Sequence, residues 1–62
     1  MNKEQLLDQL EDVLIGMNVP QQRKKDIGWL SRNISINNAG HPNLLKAIWV
    51  IQKLMKEENG KQ

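Results

Sequence analysis

The sequence predicts an all-α domain of three short helices, and three observations carry that reading. Apolar residues recur at three- and four-residue spacing in three separate segments, with Asn2 and Gln5 or a proline standing where each segment would begin. A stretch rich in Asn, Ser and Gly, residues 33–41, separates the second segment from the third. At 62 residues the chain makes one domain at most, and a chain of this size buries only about 60% of its extended surface. Its margin of stability is therefore small, and packing as a homodimer is expected.

The first helix is predicted over 3–17. Asn2 serves as N-cap and Gln5 reaches back from the third helical position, as in a capping box. Leu6, Leu10, Val13, Leu14 and Met17 form its apolar face, while Asp8, Glu11 and Asp12 take the opposite side. Ile15 points into that polar side. Gly16, and Val19 held extended by Pro20, stop the helix between Ile15 and Asn18.

A second helix is predicted over 20–33, opened by Pro20, whose missing N–H is harmless in a first turn. Its apolar face is thin, Ile27, Leu30 and Ile34. Trp29 lies well off that face and either packs sideways or stands exposed. The 33–41 loop follows, tethered to the core by Ile34 and Ile36.

The third helix, predicted over 42–57 and opened by Pro42, is the most apolar stretch. At about 100° per residue, Leu44, Ala47, Ile48, Val50, Ile51, Leu54 and Met55 fall on one arc of roughly 160°. That arc is the core face. Leu45 and Trp49, four residues apart, fall on the other half among Lys46, Gln52, Lys53 and Lys56. The expected organisation is a single helical domain over 1–58 with a frayed tail at 59–62.

Composition excludes several function classes. With no Cys there is no disulfide framework and no thiolate metal site, so a reducing cytoplasm is the expected setting. The acids within residues 1–13 are incompatible with a signal peptide, and no apolar run is long enough to span a membrane. Catalysis needs a nucleophile or acid–base group with an orienting partner. The chain offers one His, no Tyr, and Ser31 and Ser35 as its hydroxyls, so no enzyme, cofactor or metal is expected. His41 is read as a residue that caps the third helix or packs on the Asn-rich loop, with a pH-sensitive contact as the other reading.

Net charge is +2, with acids gathered near the N-terminus and Arg23, Lys24 and Lys25 in a run, extended by Arg32. The run is read as a solvated face answering the acids of the first helix. The alternative is a small DNA-binding regulator using these four residues. Against it, about eight residues separate helices two and three, where a helix-turn-helix uses a turn of about three or four.

The surplus apolar residues are Ile15, Trp29, Leu45 and Trp49. Leu45 and Trp49 make a contiguous i,i+4 patch with Lys53 at its edge, and Trp is enriched at interface hot spots. The expected role is protein–protein contact, with a second copy or with another protein.

Trp29-Leu30-Ser31-Arg32-Asn33-Ile34, then Asn37, then His41-Pro42-Asn43 before an apolar helix, resembles a pattern found in short phage and prophage proteins. The resemblance covers 26–56. It implies a small phage-encoded accessory protein that binds a host protein and blocks it, for example one countering a bacterial defence system, without chemistry of its own. It assigns no functional residues.

Overall fold

The computed structural model describes residues 2–59. Met1 and 60–62 lie outside the described residues, so the expected tail is represented there only by Asn59. The elements are α1 (Lys3–Val13), a 3₁₀ turn (Gln21–Arg23), α2 (Ile27–Asn37) and α3 (Leu44–Asn59), with no strand among the described residues. The all-helical class and the count of three α-helices agree with the sequence reading; several boundaries do not.

Helix α1 starts as expected. Asn2 Oδ1 accepts from the Gln5 N–H at 2.9 Å, and Gln5 Oε1 accepts from the Asn2 N–H at 3.2 Å. It ends at Val13, about one turn short of the expected 3–17, because the chain folds under itself at 14–16 and Gly16 takes φ +81°. That left-handed geometry favours glycine, which has no Cβ to clash. Leu14 and Met17 are nonetheless buried, since the turn tucks them beneath α1.

The second helix needs the larger correction. Pro20 does not open it. Pro20 precedes the 3₁₀ turn, accepting from the Arg23 N–H at 2.9 Å. Asp26 is the true N-cap of α2, its carboxylate accepting from the Trp29 N–H at 3.1 Å. A side-chain acceptor satisfies an otherwise orphaned donor, which a proline at the first position cannot do. The helix also runs to Asn37 rather than Asn33, so Ser35 and Ile36 are helical. Leu30 and Ile34, four residues apart, are buried and set its inward face. Ile36 stands about 200° round from Ile34, so it is 77% exposed and does not tether the chain to the core.

Helix α3 begins at Leu44, two residues after Pro42, and extends to Asn59. The Asn43 carbonyl accepts from the Ala47 N–H at 2.9 Å, and His41 Nδ1 accepts from the Asn43 N–H at 3.0 Å. His41 therefore has the helix-start role expected of it.

The core is built around α3. Helices α1 and α2 both pack on α3 and not on each other. Leu6, Leu10, Val13, Leu14 and Met17 meet Ala47, Val50, Ile51 and Leu54, with Leu30 and Ile34 closing the α2 side. The inward arc of α3 is narrower than expected: Leu44 and Ile48 are half-buried, and Met55 is 40% exposed. Helices α1 and α3 run antiparallel, tied at one end by Lys3–Glu58 at 3.3 Å and at the other by Asn43 Nδ2 donating to the Val13 carbonyl at 3.4 Å.

Asn38, which the sequence shows only as part of a turn, is buried. Its Oδ1 accepts from the Asn18 N–H, and its Nδ2 donates to the carbonyls of Asn18 at 3.4 Å and Ile34 at 3.3 Å. One amide thus satisfies both backbone groups of a residue 20 positions away, besides one carbonyl at the end of α2. Buried backbone groups must be paired, and here a side chain supplies what no sheet or helix can.

Candidate interaction surface

The structure sorts the surplus apolar residues into three places. Leu45 and Trp49 stand on the outer ridge of α3, 81% and 48% exposed. Lys53, one further turn along, places Nζ 5.0 Å from the centre of the Trp49 ring. A cation over an aromatic face is attracted by its quadrupole, and more strongly as water is removed. Beside Trp49 lies a groove of about 360 Å³ between α1 and α3, lined by Leu6, Trp49, Lys53, Lys56 and Glu57. This is the one cluster in which the expected interface residues meet: Leu45, Trp49 and Lys53.

Ile15 lies elsewhere, on the turn after α1, 69% exposed. Trp29 is half-buried on α2 and packs against the core. The Arg23 guanidinium sits 5.7 Å from its ring centre while Arg23 Nη1 pairs with Asp26 at 2.8 Å. Arg23, Asp26 and Trp29 thus form one closed unit where the 3₁₀ turn meets α2. The Trp29 N–H and the Arg23 guanidinium together hold the Asp26 carboxyl below the usual carboxylate range.

Arg23, Lys25 and Arg32 are exposed and Lys24 is half-buried. Lys25 shares one groove with Glu4, Asp8 and Glu11 of α1, and Lys24 shares another with Glu11 and Gln21. Arg32 leans back along α2, its Nη1 3.3 Å from where a Cβ on Gly28 would stand. Arg23 thus pairs with an acid of its own chain, while Lys24 and Lys25 lie beside acids of α1 without an ion pair to them among the described residues.

Two features escaped the sequence reading. Ile36 is an exposed apolar residue whose position follows only once the phase of α2 is set by Leu30 and Ile34. Met55 joins Ile48 beside a second groove, about 230 Å³, between α2 and α3, lined also by Ser31, Ile34, Ile51 and Gln52. The outer ridge of α3 therefore runs between two concave flanks. Among the described residues no three His, Cys, Asp or Glu side chains are grouped as a metal ion would need, and no helix is long and apolar enough to cross a membrane. Comparison with protein-family models, with curated proteins and with solved structures finds no match.

Proposed function

We propose that this chain is a small protein-binding module that acts without chemistry of its own, a phage-type inhibitor that seats on a host defence protein in the host cytoplasm. The observation that carries the reading is the exposed Leu45–Trp49 pair on the very helix that organises the core. A rigid ridge presents such residues at little entropic cost, which is what an interface anchor requires. The resemblance of 26–56 to phage proteins supports the class of target. Two of the groups weighed for chemistry are engaged by nearby backbone, which agrees with a binding role: His41 Nδ1 accepts from the Asn43 N–H, and Ser31 Oγ donates to the Gly28 carbonyl at 2.9 Å.

The same exposed pair would serve self-association, the homodimer expected from chain length. DNA binding draws less support, because Arg23 is held by Asp26 and Trp29, and Lys24 and Lys25 sit beside the acids of α1.

The test is the double variant Leu45→Glu with Trp49→Lys, compared with the parent chain for proteins captured in bacterial cells and for mass by sedimentation. The helical circular dichroism should persist, because both side chains lie outside the core, while the captured protein is lost. If the captured proteins, the mass and the fold are all unchanged, the ridge is not an interface.

A further inference from the structure

We infer that the occupant of the α3 ridge is an acidic amphipathic helix, apolar along one flank and carrying Asp or Glu along the other. The inference rests on the reading of that ridge as a docking surface and deepens it. Leu45, Trp49, Gln52 and Lys56 follow one another at spacings of four, three and four residues, the seam spacing of a coiled coil. On one side of this seam stand Lys46 and Lys53, both exposed; on the other stand Ile48 and Met55. The α1-side groove is lined by Lys53 and Lys56 beside Trp49, with Glu57 as its one carboxylate. The α2-side groove is walled by Ile34, Ile48, Ile51 and Met55. A helix laid on the seam would drop apolar side chains into the second groove and bring carboxylates to the lysines of the first. Among the described residues the ion pairs are Lys3–Glu58 and Arg23–Asp26, so Lys46, Lys53 and Lys56 have no carboxylate partner, Lys53 resting only on the Trp49 ring.

Charge also separates this occupant from a second copy. An antiparallel symmetric pairing along the seam sets Lys46 and Lys53 against the same residues of the other chain, and a parallel one stacks Lys56 on Lys56. Like charges at such positions oppose association. A lipid surface is the weaker match on shape and polarity. Gln52 and Lys56 occupy half the seam, and a bilayer interior offers them no partner, whereas a helix can supply a carboxylate or amide. The two flanking grooves are concave and suit side chains.

The experiment uses the full chain and three probes. Two are synthetic helical peptides about three heptads long with Leu and Ile on the seam, one carrying Glu on the flank and the other Gln. The third is vesicles of phosphatidylglycerol with phosphatidylcholine. Binding is read from Trp49 fluorescence in a Trp29→Phe background and from backbone NMR shifts along α3. The Glu peptide should bind about tenfold more tightly than the Gln peptide, a preference that shrinks with added salt and is abolished by Lys46→Gln, Lys53→Gln and Lys56→Gln combined. If the two peptides bind equally and the Leu45→Glu, Trp49→Lys variant loses both, the docking surface stands and the acidic occupant is overturned. The inference also fails if neither peptide binds, if only the vesicles bind, or if the chain sediments as a stable dimer that Trp49→Lys dissociates.

Discussion

The chain holds two tryptophans, each with a cation over its ring, and the two pairs have opposite fates. Arg23 over Trp29 and Lys53 over Trp49 have similar geometry, 5.7 and 5.0 Å from the ring centres. Trp29 is half-buried against the core, and its cation is also paired with Asp26. Trp49 stands 48% exposed on a ridge, and its cation has no ion partner among the described residues. The same contact therefore closes one site and leaves the other available. What separates them is the ground beneath each ring: Trp29 leans on a junction between elements, Trp49 on the outside of one helix.

Substitution should break this comparison unequally. The largest effect on stability is expected from Trp29→Ala, which removes a half-buried ring from the edge of a small core and should cost about 2 kcal/mol, less than a fully buried Trp. Thermal unfolding followed by circular dichroism should show the midpoint falling by roughly 10 °C; an unchanged midpoint would mean Trp29 is not part of the closed unit. Next in size is Asn38→Ala, expected to cost about 1–2 kcal/mol because it strands backbone groups of Asn18. Hydrogen exchange at the Asn18 amide should rise in the same variant.

A smaller effect is expected at the third member of the Trp29 unit. The Asp26 carboxyl is held below its ordinary range by the Trp29 N–H first and by Arg23 second. A group with a depressed folded pKa contributes stability that is complete above its unfolded value, about 4, and lost as pH falls through the lower folded value. Asp26→Asn keeps a cap acceptor but removes the charge. It should lower the midpoint slightly at pH 7 and reduce the fall between pH 4 and lower pH; an undiminished acid transition would assign that transition to other carboxylates. The smallest effect is expected from Trp49→Ala, about 0.5 kcal/mol or less, in keeping with surface substitutions away from the core. A loss of more than about 1.5 kcal/mol would show that Trp49 holds the fold as Trp29 does.

Much of this architecture is legible in short stretches of sequence. The capping box at Asn2 and Gln5, the inward positions Ala47, Val50, Ile51 and Leu54, and the outward pair Leu45 and Trp49 depend on spacing within one helix. The start of α2 was legible too, but Pro20 masked it: Asp26 followed by the Trp29 N–H is a stronger start than a proline, and the residues between form a 3₁₀ turn instead. Because α2 starts from Asp26 and not from Pro20, it reaches Asn37, and the helical phase turns Ile36 outward.

By itself the sequence determined the helical class, the starting cap of α1 and which side of α3 faces inward, because helical phase and capping act over three or four residues. Tertiary structure alone decided the burial of Asn38, the closing of Arg23, Asp26 and Trp29 into one unit, and the placing of Lys24 and Lys25 in grooves beside the acids of α1. These depend on which distant backbone groups and charges the packed helices bring together. No local spacing specifies that Asn18 meets Asn38, and it is this kind of meeting that uses up one tryptophan and leaves the other on the surface.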